Sequence, residues 1–303
     1  MEFGKVTDLQ AIDFTLPPDH PLTAHSLQSA SQSSTAAQVY VGCPVWANKH
    51  WLGTWYPATA KDASFLSHYV KQFNSIELNS THYHLPNVAS VQRWKTTAPR
   101  HFRFCPKSPQ EISHYQLFDG TAAPLLAEFC AHLQLLEEKL GCAFLQLPSY
   151  FTPDKLPLLE KLLRTLPSAF PLALEIRHPA CFQPEFFNRY LELLQHYQLS
   201  TVITDVAGRR DALQLALTSP TVLIRFVGNS LHSSDFQRLD AWVERVAEWL
   251  AQGLQQLYFF LHQPDNTLAP ELAVYFIERL NQRCQLQLAI PQKQATVQQG
   301  KLF

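Results

Sequence analysis

Two short apolar runs in this chain carry a polar or charged side chain at every second position. One is Ser75-Ile76-Glu77-Leu78-Asn79; the other is Leu172-Ala173-Leu174-Glu175-Ile176-Arg177, followed by His178-Pro179. Alternate side chains of a β-strand share a face. Glu77 and Asn79 therefore point one way and Ile76 and Leu78 the other, and Glu175 and Arg177 likewise oppose Leu174 and Ile176. The remaining strand candidates are nearly pure apolar runs, as expected of strands covered on both faces. Ionised groups are costly to bury unless they are paired or put to use. Carboxylates late in buried strands thus point to a functional site.

Strand candidates fall at 39–42, 75–79, 102–106, 143–147, 172–176, 201–204, 221–226 and 257–261. Helix-period segments separate them. Phe65, Leu66, Tyr69, Val70 and Phe73 share one helical stripe, and Leu125, Leu126, Phe129, Leu133 and Leu136 another. Further helices are predicted over 88–97, 153–166, 184–197, 210–217, 235–252 and 269–283. Eight strands alternating with eight helices predict an α/β fold, a single-domain TIM (β/α)8 barrel over 39–284, close to the ~250 residues typical of that fold. The rival, an open doubly wound sheet, lacks its glycine-rich phosphate loop, since Gly42-Cys43-Pro44 follows the first strand. Residues 1–38 are expected as an N-terminal extension, largely disordered or linker, with Phe14 and Leu16 as docking points. Residues 285–303 are expected as a polar tail.

Composition narrows the function classes. The 303 residues are 46% hydrophobic with a formal charge of −1, so bulk charge supports neither nucleic-acid nor anionic-membrane binding. No segment has the apolar length of a membrane span, and the N-terminus lacks a signal-peptide core. The six cysteines are scattered without C-x-x-C or metal-knuckle spacing; read as reduced, they suggest a cytoplasmic protein.

Barrel enzymes carry their chemistry at the C-terminal strand ends and following loops. Those positions hold Cys43 and Trp46; Glu77, Asn79, Thr81 and Tyr83; Lys107; Gln146; Glu175, Arg177 and His178; Asp205; Arg225; and His262. The leading expectation is an enzyme acting on a small anionic ligand by carboxylate acid–base chemistry, of the kind glycoside hydrolases use. Glu175 is the principal acid or base, with Glu77 and Asp205 as further catalytic carboxylates. Arg177, Lys107 and Arg225 are anion contacts, and Asn79, Tyr83, Trp46, His178 and His262 are additional substrate contacts. No cofactor is implied. One alternative is a divalent metal held by His82, His178, His262, Glu175 and Asp205, for a hydrolase or phosphodiesterase. Another is a non-catalytic binding barrel whose mouth residues form a salt-bridge network.

Several segments together resemble the YecE-like family of uncharacterised barrel proteins. They are Val41-Gly42-Cys43-Pro44-Val45-Trp46, Trp55-Tyr56-Pro57, Phe73 through Thr81, Tyr83 with Leu85-Pro86, Phe102-Arg103-Phe104 with Lys107, Leu145-Gln146-Leu147-Pro148, Leu174 through Pro179, and Ile224-Arg225-Phe226. The resemblance implies a TIM barrel, with a fold similarity to endonuclease IV-type barrels, and brings no established activity. The chain departs from the family pattern at Cys43-Pro44-Val45, at Val227 where a His is common, and at 261–266 in place of an Asn-rich strand end.

Overall fold

The computed structural model describes residues 4, 6–28 and 36–294. Eight parallel strands form one sheet: β1 (Gln38–Cys43), β2 (Ser75–Leu78), β3 (Arg103–Pro106), β4 (Ala143–Gln146), β5 (Leu172–Glu175), β6 (Ser200–Asp205), β7 (Thr221–Val227) and β8 (Gln256–His262). Their order is β3-β2-β1-β8-β7-β6-β5-β4. The two outer strands meet through short bridges, Phe104 with Leu140 and Lys107 with Phe144. At this seam the Gly141 and Ser108 N–H groups donate to the carbonyls of Phe104 and Phe144, each at 2.8 Å. The sheet is therefore a nearly closed barrel, an α/β TIM-like architecture.

Helices surround it: α1 (Pro21–Gln28), α2 (Phe65–Tyr69), α3 (Val88–Thr97), the short α4 (Leu117–Asp119), α5 (Ala123–Gln134), α6 (Leu156–Leu163), α7 (Pro184–His196), α8 (Ser233–Gln252) and α9 (Ala269–Cys284). Outward strand residues such as Ile76, Leu174, Ile224 and Phe259 pack beneath these helices. A separate cluster fills the barrel itself, comprising Tyr40, Cys105, Cys142, Phe144, Ala173, Leu223, Tyr258 and Phe260. The rings of Tyr40 and Tyr258 stack there at 5.0 Å. Two residues further along the strands, the period-2 rule brings Lys107, Gln146, Glu175, Arg225 and His262 to the same face, directly above this apolar plug. Gly42 lies between the layers because a Cβ there would sit 2.1 Å from the Ser75 carbonyl oxygen. Tyr69 uses that close approach: its hydroxyl donates to Ser75 O at 2.9 Å and accepts from Cys43 N–H at 2.8 Å.

The helix expected at 210–217 does not form; only a short turn, Arg210–Ala212, is present. The segment that follows runs extended because its peptide groups find partners elsewhere. Leu215 O accepts from His20 N–H at 2.8 Å and from the Thr23 hydroxyl at 3.1 Å. Leu217 N–H donates to that same hydroxyl at 3.1 Å. The N-terminal segment supplies the covering helix in its place. α1 lies against this segment and α8, with Thr23 and Leu27 fully buried. Asp19, just before α1, pairs with Arg245 and accepts from Trp249 Nε1 at 2.9 Å. Residues 6–28, expected largely as linker, are thus part of the barrel's outer layer; 29–35 lie outside the described residues. At the other end, Leu286, Leu288 and Ile290 pack on the core, and Gln292 N–H donates to Gln72 Oε1 at 2.8 Å. Residues 285–294 are therefore a docked strap, while 295–303 lie outside the described residues.

Leu27→Ala should lower unfolding stability by about 2–5 kcal/mol, the range for emptying a buried leucine site, measured by urea denaturation. A loss below ~0.5 kcal/mol would show that α1 is not integral to the barrel.

Candidate active site at the barrel mouth

Inward-facing groups from β2, β5, β6 and β8 form a network around Arg225 of β7. Its Nε and Nη2 donate to Glu77 Oε2 and Oε1, both at 2.9 Å, and its Nη1 donates to Glu175 Oε2 at 3.0 Å. The remaining Glu175 oxygen accepts from Arg177 Nε at 2.9 Å and from the Thr204 hydroxyl at 3.0 Å. Glu77 Oε1 also accepts from Asn79 Nδ2 at 2.8 Å, while His262 Nε2 lies 3.0 Å from Glu77 Oε2. The guanidinium of Arg225 further sits 5.4 Å over the Phe144 ring, at the top of the apolar plug. Such forked, charge-assisted contacts are the strong form of the hydrogen bond.

This pairing sets the charge states. Burial by itself would raise the Glu175 carboxyl, but Arg177, Arg225 and Lys107 outweigh it and hold it at about 2. Burial likewise opposes ionisation of Glu77, yet Arg225 and then His262 keep it well below the usual carboxylate range. Both are ionised at neutral pH, and neither carries a proton to donate. For His262 burial dominates over the attraction of Glu77 and lowers its pKa.

Above the network opens a cavity of about 930 Å³. Its floor includes Lys107, Gln146, Arg177, Arg225 and His262; Trp46, Asn79, His82 and Tyr83 stand along one side. Glu77 and Glu175, at 0% and 1% exposure, lie beneath the lining. Trp46 also packs edge-on against Trp94 at 6.0 Å, and Tyr83 is largely exposed at the rim. Lys107 is held by its backbone: its N–H donates to Leu78 O at 3.1 Å, and its O accepts from the Thr81 hydroxyl at 2.7 Å. Among the described residues no carboxylate comes within 4.0 Å of its ammonium. Burial, then Arg225, and also Arg177 depress its pKa to about 7, against partial restoration by Glu175 and Glu77.

Two residues expected at the site, the catalytic carboxylate Asp205 and the substrate contact His178, lie elsewhere. Asp205 follows the inward Thr204, so strand parity turns it outward. It ion-pairs with Arg238 at 2.7 Å and with Arg210, and accepts from Trp242 Nε1 at 2.8 Å. His178 bends back on its own turn, where its Nδ1 accepts from Ala180 N–H at 3.1 Å. The five residues of the metal alternative are consequently dispersed, and among the described residues no three His, Cys, Asp or Glu side chains form a metal-holding group. His82 is committed to Ser108 O at 2.8 Å, with burial and then Lys107 lowering its pKa to about 4.

Other contributors carried little signal in the chain. Thr204 looked like one more β-branched strand residue. Gly4, Val6, Thr7 and Leu9 line the cavity from the N-terminal segment, anchored where Gly208 N–H donates to Gly4 O at 2.9 Å. A Cβ on Gly208 would meet Val6 at 2.6 Å, so that glycine pair was the available clue. Gln263, whose Oε1 accepts from Ser230 N–H at 2.7 Å, joins from the loop after β8.

A nearly closed barrel of eight parallel strands, with helices around it, defines the class of fold. The chain belongs to the DUF72 family, proteins of unknown function, whose profile matches residues 40–296. It is 31% identical over 284 residues to the UPF0759 protein YecE of Escherichia coli strain K12, covering 88% of this chain and all of that protein. The fold is shared with two solved family members. DUF72 protein EF0366 of Enterococcus faecalis V583 has a TM-score of 0.64 at 20% identity, covering 85% of this chain and 100% of that one. DUF72 protein TM1631 of Thermotoga maritima MSB8 has a TM-score of 0.63 at 24% identity, covering 80% and 99%. Among the described residues no helix is long and apolar enough to cross a membrane.

Arg225→Met would leave two buried carboxylates without their shared counterion and should destabilise the fold by about 3–5 kcal/mol, read by chemical denaturation. Glu175, depressed in the folded state, contributes stability that is present above its ordinary pKa near 4.5 and lost as pH falls toward about 2. Thermal melts between neutral and acid pH should show that loss, and Glu175→Gln should flatten the slope. An unchanged slope in the variant would assign acid lability elsewhere.

Proposed function

We propose that this protein is an enzyme acting on a small polar anionic substrate at the barrel mouth, with Lys107 as the titrating group of the site. The observation that carries the reading is the charge balance of the floor. Among the described residues Glu77 and Glu175 ion-pair with Arg225 and Arg177, and none offers Lys107 a carboxylate within ion-pair distance, so protonated Lys107 faces the cavity as a cation without a counter-charge among them. An uncompensated buried cation favours an incoming anion. Glu175 and Glu77, the carboxylates expected to carry acid–base chemistry, act here as positioning groups, since every carboxylate oxygen already accepts a hydrogen bond. Asn79, Trp46, Tyr83 and His262 supply the remaining polar and aromatic contacts to substrate.

Lys107 is charged below pH about 7 and neutral above it. Sulfate, whose own charge is constant across this range, should therefore bind about tenfold more tightly at pH 6 than at pH 8, the change expected for one linked proton. Titration calorimetry checks this. Binding unaffected by Lys107→Met would remove the basis of the proposal.

A further inference from the structure

We propose that Lys107 is an imine-forming nucleophile and that the site takes a small anionic aldehyde or ketone. This deepens the reading above and rests on it for the anionic part of the substrate. Three observations support the carbonyl part. First, Lys107 Cα is fixed at the β3–β4 seam by bonds to both neighbouring strands, while its side chain, 8% exposed, reaches the cavity floor without a carboxylate partner among the described residues. A lysine built only for charge pairing would lie against Glu77 or Glu175, and Arg225 takes that place. Second, Gln146 on the adjacent strand lines the same cavity at 5% exposure, and its buried Oε1 has no hydrogen-bond partner among the described residues. It is an acceptor suited to a substrate hydroxyl or to the N–H of a protonated imine. Third, the charged and titratable groups around the amine are Arg225 from β7, Glu175 and Arg177 from β5 and its loop, Glu77 from β2, and His82 and His114 from the loops after β2 and β3. Cations and burial together bring the amine near pH 7, the usual way a lysine is made nucleophilic.

The step balances without a redox partner. The Nζ lone pair forms a C–N bond to the carbonyl carbon as the C=O π pair moves to oxygen, which takes a proton to give a carbinolamine. The nitrogen then loses its proton, the hydroxyl takes one and leaves as water, and a C=N bond remains.

The test incubates the full-length protein with glyoxylate and sodium cyanoborohydride, whose hydride reduces the C=N bond to a secondary amine while the reagent is oxidised. Peptide mass spectrometry should find one carboxymethyl group on Lys107. It should form on the order of a hundredfold faster than on exposed lysines, which at an ordinary pKa of about 10.4 are almost wholly protonated at pH 7. Labelling should rise from pH 6 to pH 8, and sulfate should suppress it. Lys107→Arg should still bind sulfate and lose the adduct; if that variant does not fold, the wild-type peptide map and sulfate protection decide. Sulfate binding at Lys107 with adducts spread evenly over the lysines would overturn the imine proposal and leave the anion site standing. Acetaldehyde labelling Lys107 as fast as glyoxylate would overturn the anionic substrate class. Absence of both sulfate binding and selective labelling would end both readings.

Discussion

Arg225 is buried between two glutamates, and the mouth of this barrel depends on that arrangement. Its guanidinium is 1% exposed, bidentate to Glu77 and bonded to Glu175, and it rests on the Phe144 ring. Neither carboxylate could remain ionised there alone, because desolvating an unpaired charge costs more than hydrogen bonds to neutral groups return. One side chain thus joins β2, β5 and β7 across the barrel. The one remaining oxygen, Glu175 Oε1, is taken by Arg177 and Thr204, and Asn79 and His262 add contacts to the Glu77 oxygens, which leaves the lock with little freedom to rearrange.

The same lock shapes the cavity. Because Glu77 and Glu175 lie beneath the lining and neutralise the two guanidiniums above them, the floor presents paired Arg177 and Arg225 together with the amine of Lys107. Lys107 is excluded from the ion pairs by Arg225 and yet feels its repulsion. It is therefore the side chain of the floor that changes charge near neutrality. Over it, the N-terminal segment contributes part of the lining through Gly4, Val6, Thr7 and Leu9. The segment that closes the β6–β7 groove with α1 thus also borders the site.

Much of this was legible along the chain. Period-2 alternation put Glu77 with Asn79 and Glu175 with Arg177 on single faces, and the alternation of strands with helices identified the barrel. What strand-end position could not convey was depth. Glu175 and Lys107 both stand at strand ends, but one lies beneath the cavity lining in an ion-pair network and the other faces the cavity. Asp205 shows the same limit: it ends a strand as Glu175 does, and one residue of parity sends it to Arg238 and Trp242 instead. The 210–217 segment has helical periodicity, yet its backbone partners lie nearly two hundred residues away at His20 and Thr23, beyond the reach of local pattern.

The alternating side chains of 75–79 and 172–177 were enough, without coordinates, to assign inward faces, because side-chain direction in a strand is a local property of the backbone. Which inward group is paired and which meets solvent are properties of distance between strands far apart in the chain. Those distances follow from barrel closure. Closure placed Arg225 between the glutamates and left the amine of Lys107 facing the cavity.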